Sequence, residues 1–150
     1  MYLLNREALA SEYREHAATY QAFAERLREL FGLLLKGESV HLDHIEMRVK
    51  TLDSFLEKIE HKKYYDAPFD RIKDLVGLRI VTYYQDEVKR IRALIEREFT
   101  VDEDHSVDKS ASLEADRFGY RSLHLIISLA PNRSALPEWK PFVGIPAEIQ

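Results

Sequence analysis

A long amphipathic helix at the N-terminus is the feature that most constrains the fold of this chain. Apolar residues recur at alternating steps of three and four within residues 6–36, which predicts one helix with a narrow apolar seam. The seam consists of Ala10, Tyr13, Ala17, Tyr20, Ala24, Leu27, Phe31 and Leu34. Gly37 follows, at the position where glycine commonly ends a helix. We expect the seam to pack along the rest of the domain; a coiled coil, a dimer contact or a partner contact is its alternative use.

The rest of the pattern predicts an α+β domain. The predicted elements are a helix at 42–63, a strand at 74–84, a helix at 86–98, a polar loop within 100–118, a strand at 122–129 and the start of a strand at 147–150. Ser39 or Asp43 could cap the second helix. Residues 74–84 are apolar on both faces, as expected of a central strand. This order favours a mixed or antiparallel sheet.

The composition is that of a soluble, single-domain protein. The 150 residues suffice to bury one core, with 32% charged and 45% hydrophobic residues. A net charge of −4 argues against sequence-independent binding of nucleic acids, which depends on neutralising phosphates. There is no cysteine for disulfides or thiolate metal sites, and no apolar run approaches the ~20 residues that span a bilayer. We expect a cytoplasmic protein with one domain over 1–150: a helix to about residue 38, and a core from about residue 40 that is truncated inside its last strand.

Three groups of polar residues suggest a binding site, and the first is a basic stripe. Lys50, Ser54 and Lys58 are four residues apart, and Arg48 flanks them. On one helix they would form a row about 12 Å long, from the rise of ~1.5 Å per residue. Such a row suits a polyphosphate. A solvated basic face opposite an apolar one explains the same spacing without a ligand.

The second group is a pair of carboxylates. Asp74 stands at the edge of one predicted strand, and Glu148 shares a face of the last strand with Gln150. If the two strands are neighbours, both carboxylates can converge on one Mg²⁺, which in phosphate-transfer sites needs few protein ligands besides phosphates and water. Taken separately, each carboxylate is explained by a surface position.

The third group is the stretch FGYRSLH, residues 118–124, at the start of a predicted strand. Gly119 permits a close approach, and Tyr120 could stack on a nucleobase. Arg121 and His124 could hold phosphates. A turn leading into an edge strand, with Tyr120 partly in the core, is the alternative.

In chain order, the motifs RVKTLDSFLEK, DLVGLRI, GYRSLH and EIQ resemble the synthetase domain of the RelA/SpoT family, the guanosine penta- and tetraphosphate (alarmone) synthetases. The resemblance covers roughly residues 40–150, and GYRSLH and DLVGLRI carry most of it. It implies a nucleotidyltransferase-like mixed sheet flanked by helices. It also implies transfer of the β,γ-pyrophosphate of ATP to the 3′-hydroxyl of GDP or GTP, with release of AMP.

Carried over by position, the resemblance implies three sets of site residues. The ATP-binding set is Arg48, Lys50, Ser54, Lys58 and Arg79. The Mg²⁺ ligands and catalytic residues are Asp74 and Glu148, and Glu148 would help to activate the hydroxyl. The acceptor-binding set is Lys109, Tyr120, Arg121, Ser122, His124 and Gln150, with Tyr120 stacked on the guanine.

The chain departs from the family pattern just before Gly119. Where the family commonly has K-x-N, this chain has Asp116, Arg117 and Phe118, and the loop before them is acidic. This form resembles a toxic branch whose members pyrophosphorylate the 3′ end of tRNA, so tRNA is the alternative acceptor. A non-catalytic nucleotide-binding or interaction module is a further alternative, against which the retained carboxylates and Ser54 argue.

Overall fold

The structure is a computed structural model that describes residues 2–108 and 122–150. Its helices are α1 (Tyr2–Gly37), α2 (Leu52–Lys62), α3 (Pro68–Arg71), α4 (Asp86–Glu98), α5 (Pro131–Ser134) and a 3₁₀-helix (Pro137–Phe142). Its strands are β1 (Leu42–Val49), β2 (Val76–Thr82), β3 (Phe99–Asp108), β4 (Leu123–Leu129) and β5 (Ala147–Ile149). None of these helices is long and apolar enough to cross a membrane.

The five strands of the described residues form one mixed sheet in the order β1-β2-β5-β4-β3. β2 and β5 are parallel, and the other neighbouring pairs are antiparallel. The predicted α+β fold, with a mixed sheet and a long N-terminal helix, is confirmed. The centre of the sheet is the short β5, with β2 beside it, so the run at 74–84 is an inner strand next to the centre.

The two faces of the sheet differ in chemistry because side chains alternate along each strand. One face is apolar and contributes Leu78, Leu125 and Ile149 to the core. The other face, called the polar face below, carries Glu46, Arg48, Arg79, His124, Glu148 and Gln150. Within the described ranges, the polar face therefore lies on the side of the sheet opposite this core.

Helix α1 supplies one wall of the core, as its seam predicts. Ala24, Leu27 and Phe31 are fully buried. Two aromatic stacks hold the helix against distant parts of the chain: Phe31 with Phe99 at 5.2 Å between ring centroids, and Phe23 with Phe142 at 5.0 Å. The seam therefore packs along the domain, and a contact of α1 with a second chain stays a prediction.

The prediction of one helix over residues 42–63 is wrong. Residues up to Val49 form β1, and α2 begins only at Leu52. Ile45 and Val49 are four apart, as on one helical face, but with Met47 between them they also fit the two-residue period of a strand. Pairing with β2 decides for the strand, which β-branched residues favour. The cap of α2 is Thr51, whose hydroxyl accepts from the Ser54 N–H, and is neither Ser39 nor Asp43.

The prediction of a polar loop within 100–118 is also wrong for residues 100–108. Residues up to Asp108 form β3, which pairs with β4 and carries a bulge between Asp102 and Val107. β3 is an edge strand, and polar side chains are expected on an edge that faces solvent. Residues 109–118 lie outside the described part of the chain. The helix at 86–98 and the strands at 122–129 and 147–150 are confirmed.

Candidate active site

The two predicted carboxylates line one cavity on the polar face. β2 and β5 are neighbours, and Gly77 pairs with Glu148. Asp74 lies just before β2, and both acidic residues line a cavity of about 240 Å³. The other residues around this cavity are Glu46, Met47, Arg48, Gly77, Leu78, Arg79 and Gln150. The condition set by the sequence, that the two strands are neighbours, is thus met.

Two lysines bind the Asp74 carboxylate, one at each oxygen. Lys58 Nζ lies 3.0 Å from Asp74 Oδ1, and Lys50 Nζ lies 3.2 Å from Oδ2. Burial alone would raise the pKa of Asp74. The hydrogen bond and charge of Lys58, joined by those of Lys50, outweigh burial and lower the pKa below its ordinary value. Asp74 is therefore held as a carboxylate.

The backbone around Lys50 is fixed from two sides. The Tyr13 hydroxyl of α1 donates a hydrogen bond to the Lys50 carbonyl. The Lys50 N–H donates to the carbonyl of Leu75, next to Asp74, at 2.8 Å. The end of β1 is thereby tied to the start of β2, which places the lysine and the aspartate opposite each other.

The basic residues do not form one helical row, which corrects the predicted stripe. Arg48 is on β1, Lys50 lies between β1 and α2, and only Ser54 and Lys58 are on α2. The row fails because the segment is a strand followed by a helix. Lys50 and Lys58 nevertheless meet at Asp74. Ser54 is exposed in the first turn of α2 and does not line the 240 Å³ cavity.

Arg48 and Arg79 lie on neighbouring strands of the polar face. Arg48 pairs with Gly77, and Glu46 pairs with Arg79, so the two arginines are diagonal neighbours. Both are exposed and both line the cavity. Their position fits a ligand that needs cations above the sheet.

Glu46 is a lining residue that the sequence analysis missed, because a helix was predicted there. Recognising β1 would have placed it on the face of Arg48, two residues away. Its carboxylate accepts from His44 Nε2 at 2.9 Å, while His44 Nδ1 lies 2.7 Å from Asp43. These hydrogen bonds, the one to Asp43 first, raise the pKa of His44.

His124 contacts the second carboxylate. Its Nδ1 lies 3.3 Å from Glu148 Oε1, and both side chains are partly buried. Its Nε2 is buried and has no hydrogen-bond partner within residues 2–108 and 122–150. Gln150 continues the pairing of β5: its N–H donates to the Leu78 carbonyl at 2.8 Å, which keeps its side chain on the Glu148 face. The structure thus joins His124 and Gln150 to the carboxylate site.

The remaining acceptor residues are less fully placed. Ser122 lines a larger and more apolar cavity of about 520 Å³ between α4 and the sheet, which Arg79 and Gln150 also border. Lys109, Tyr120 and Arg121 lie outside the described residues, so their predicted roles stay predictions.

The donor atoms at the 240 Å³ cavity fit a hard divalent cation. Asp74 and Glu148 offer carboxylate oxygens, the ligands that Mg²⁺ prefers, and Mg²⁺ usually takes few of them. In the described ranges no group of three or more His, Asp or Glu is arranged to bind a metal. Any Mg²⁺ held here would therefore depend on substrate phosphates and water for its other ligands.

Comparison with known proteins identifies the family. The region found in RelA / SpoT proteins matches residues 47–150. The chain belongs to the RelA/SpoT family. GTP pyrophosphokinase YjbM of Bacillus subtilis (strain 168) is 27% identical in an alignment of 124 residues, which covers 77% of this chain and 56% of that protein. The chain thus spans little more than half the length of this curated relative.

Solved structures share the fold. The small alarmone synthetase 1 from Bacillus subtilis has a TM-score of 0.72 at 24% identity, covering 93% of this chain and 70% of that one. The same protein bound to its product pppGpp has a TM-score of 0.71 at 25% identity, covering 93% and 72%. A GTP pyrophosphokinase family protein from Streptococcus pneumoniae has a TM-score of 0.72 at 22% identity, covering 93% and 68%. The long N-terminal helix and mixed sheet of this chain are thus an alarmone-synthetase fold.

Proposed function

We propose that this RelA/SpoT chain transfers the β,γ-pyrophosphate of ATP to the 3′-hydroxyl of GDP or GTP and releases AMP. The observation that carries the proposal is the shared cavity of Asp74 and Glu148, with Arg48 and Arg79 beside them. The names of the relatives support it: one is a GTP pyrophosphokinase, and one solved structure holds pppGpp as its product.

The ATP phosphates would lie over the part of the polar face next to α2. Arg48 and Arg79 expose two guanidinium groups there, and Lys50 and Lys58 bring two ammonium groups to Asp74. Ser54, in the first turn of α2, adds a hydroxyl near a helix N-terminus, where phosphates bind well. Phosphoryl-type transfer needs mainly positioning and cations around the developing charge, and these residues offer both.

Asp74 and Glu148 are the residues that would hold Mg²⁺. The ion would neutralise phosphate charge when bound. Glu148 would take the proton of the acceptor 3′-hydroxyl as that oxygen bonds to the β-phosphorus of ATP. The bond from the β-phosphorus to the oxygen bridging it to the α-phosphorus breaks, and AMP leaves with that oxygen. His124, which contacts Glu148 Oε1, would orient the carboxylate.

The acceptor would approach from the β4 side of the polar face. His124 and Gln150 belong to this side in the structure, and Ser122 lies at its end. We assign Lys109 and Arg121 to the acceptor phosphates and Tyr120 to stacking on the guanine, from their positions in the family motif.

The proposal is tested by incubating labelled ATP and Mg²⁺ with GDP, with GTP or with tRNA, and by resolving the products. We expect AMP and a guanosine product carrying a 3′-diphosphate, and we expect chelation of the cation to abolish both. ADP as the sole product of ATP, or turnover that a chelator leaves unchanged, would contradict the proposal. If tRNA becomes labelled and no labelled guanosine product forms, tRNA is the acceptor of the same pyrophosphate transfer.

A further inference from the structure

The cation site described above is already occupied on one side by the chain's own charges. Asp74 has a lysine ammonium at each oxygen, at 3.0 Å from Lys58 and 3.2 Å from Lys50. Glu148, across the cavity, has a single contact of 3.3 Å with His124 among the described residues. Among the described residues, the two proposed metal ligands thus differ in their contacts. Asp74 has a cation at each oxygen, whereas Glu148 has a polar side-chain contact at one oxygen.

The contacts of Asp74 are built into the fold and are not casual surface pairs. The Lys50 side chain is 9% exposed and that of Asp74 is 17% exposed. Hydrogen bonds from the Tyr13 hydroxyl and to the Leu75 carbonyl fix the Lys50 backbone. Exposed pairs contribute little because water solvates both charges, whereas the Lys50–Asp74 pair is largely shielded from water.

The charges make this lysine-bound state of Asp74 selective against a bare cation. Two ammonium groups and one carboxylate leave a local charge of about one positive unit, and a divalent cation that approached Asp74 would be repelled by both lysines. A triphosphate has the opposite effect. Its oxygens are acceptors for ammonium donors, and a lysine on a flexible stem can exchange one oxyanion for another.

We propose that Lys50 and Lys58 form a lock on Asp74, which keeps the divalent cation out until a triphosphate draws the lysines away. The cation and the nucleotide then bind together, each increasing the affinity of the site for the other, because coupling between two ligands is reciprocal. The lock rests on the proposed function, since it takes the triphosphate to be that of ATP. It gives Lys50 and Lys58 a positioning role toward the metal ligand besides their role toward phosphate.

Binding of Mn²⁺, followed by electron paramagnetic resonance without turnover, tests the lock. For the unaltered chain we expect weak Mn²⁺ binding alone and binding at least about tenfold tighter with a non-hydrolysable ATP analogue. Lys50→Met and Lys58→Met keep the stem and remove the charge. Each should tighten Mn²⁺ binding without nucleotide by about tenfold, as expected for one positive charge a few ångströms from the ion, and each should shrink the gain from the analogue.

Matched controls separate the lock from a general charge effect. Lys62→Met removes an exposed lysine from the same helix α2 and should leave Mn²⁺ binding unchanged. Asp74→Asn combined with Lys50→Met should lose the gain in Mn²⁺ affinity, and circular dichroism should report the same helix content for all variants. Equal Mn²⁺ affinity with and without the analogue, or unchanged affinity in both lysine variants, would overturn the lock.

Product analysis keeps this test distinct from that of the proposed function. If the unaltered chain forms AMP and the lysine substitutions leave the Mn²⁺ affinity unchanged, the lock is contradicted and the proposed reaction is not. Mn²⁺ affinities that respond as expected, without AMP formation from any acceptor, would support the lock and contradict the proposed reaction.

Discussion

At the scale of single residues, the site consists of groups whose neighbours set their charge and position. The carboxylate of Asp74 is stabilised by two lysines to which we also assign a role in binding the ATP phosphates. Replacing either lysine should therefore change both the charge around Asp74 and the proposed contact with phosphate. Within the described part of the chain, the side chain of Glu148 has one polar contact, to His124 at 3.3 Å.

The two carboxylates should respond differently to neutralisation. Asp74→Asn and Glu148→Gln should each abolish AMP formation, because each removes a proposed Mg²⁺ ligand. Asp74→Asn should also lower the free energy of unfolding by about 1–3 kcal/mol, since it leaves the buried Lys50 without its carboxylate. Glu148→Gln should change stability little. Urea denaturation and product analysis measure both effects, and near-normal activity in either variant would show that its metal assignment is wrong.

Gly77 tests whether a ligand occupies the cavity on the polar face. A Cβ atom there would lie 3.6 Å from the Glu148 carbonyl oxygen and 3.8 Å from that of Arg48, which are ordinary contacts. Gly77→Ala should therefore keep the fold and even stabilise it by about 0.4–1 kcal/mol. Its methyl group would enter the 240 Å³ cavity and weaken binding of an ATP analogue by about 1–3 kcal/mol, the usual cost of overpacking.

Gly32→Ala is the matched control for this substitution. Gly32 lies on α1, where an added Cβ would meet no other group within 4 Å. It should stabilise the chain without any effect on nucleotide affinity, as measured by calorimetry. Equal nucleotide affinity in Gly77→Ala and in the unaltered chain would mean that the ligand does not contact this part of the sheet.

At the scale of elements, helix α1 positions the site as well as completing the core. Tyr13 is 6% exposed, and burial raises the pKa of its hydroxyl. That hydroxyl donates to the Lys50 carbonyl. The N-terminal helix thus reaches the residue that holds Asp74, although none of its own residues lines the 240 Å³ cavity.

Removing this hydroxyl should therefore affect both stability and binding. Tyr13→Phe leaves a buried carbonyl without its donor and should lower the free energy of unfolding by about 1–3 kcal/mol. It should also weaken binding of an ATP analogue, because Lys50 loses its anchor. Tyr20→Phe removes the hydroxyl of a tyrosine that is also 6% exposed, about two turns along the same helix, and it should affect nucleotide binding far less. Indistinguishable behaviour of the two variants would argue against the anchoring role of Tyr13.

Helix α4 is joined to β1 by a buried carboxylate. Glu87 is 2% exposed, and it accepts from the His41 N–H at 3.0 Å and lies 2.5 Å from His41 Nδ1. Burial alone would raise the pKa of Glu87, but the hydrogen bonds and charge of His41, helped by Arg90, lower it. A carboxyl group with a lowered pKa stabilises the fold above its unfolded value of about 4.3, and this contribution is lost as the pH falls through the folded value.

The stability difference between the unaltered chain and Glu87→Gln should follow that sign. It should be largest above about pH 5 and shrink as the pH falls below about 4.3. Urea denaturation from about pH 7 to about pH 3 measures it, since the scan then extends well below the unfolded pKa. Glu96→Gln, at an exposed pair with Arg92 on the same helix, should show a small difference at every pH. A difference for Glu87→Gln that grows on acidification would contradict the assignment.

Much of the element pattern was predictable because it depends on local periodicity. The seam of α1, the helix α4 and the strand β4 follow their sequence periods closely. β1 was not predictable in this way, since Ile45 and Val49 fit both the helical and the strand period. Only the long-range pairing of β1 with β2 separates the two, and local sequence does not contain that pairing.

The site was predictable in its residue types and not in its geometry. The residues of the motifs indicated which carboxylates and cations to expect, and the structure brings Asp74 and Glu148 to one cavity. The parallel pairing of β2 with β5 joins parts of the chain that are far apart in sequence. The lysine pairs of Asp74 depend on the same tertiary contacts, as does the place of Glu46 on β1.

At the scale of the whole molecule, the fold separates stability from binding. The helices α1 and α4 pack into the core on the apolar face of the sheet, and the 240 Å³ cavity of the proposed site lies on the polar face. The sheet is mixed in charge: Arg48 and Arg79 lie on β1 and β2, whereas the edge strand β3 carries Asp102, Glu103 and Asp104. The net charge is −4, and within the described residues Arg48 and Arg79 are the cations that line the 240 Å³ cavity.

This charge distribution predicts how acceptor use depends on salt. Binding of tRNA releases many counterions, so its affinity should fall steeply with salt, by about one power of the salt concentration for each phosphate neutralised. A mononucleotide carries few phosphates, so the KM for GDP or GTP should change far less between about 50 and 200 mM salt. We expect the shallow dependence, with GDP or GTP outcompeting tRNA in a mixture at every salt concentration, because β3 would repel a long polyanion. Measuring AMP release with each acceptor across this range decides the point. A steep loss of tRNA-dependent turnover, with no turnover on GDP or GTP at low salt, would establish tRNA as the acceptor instead.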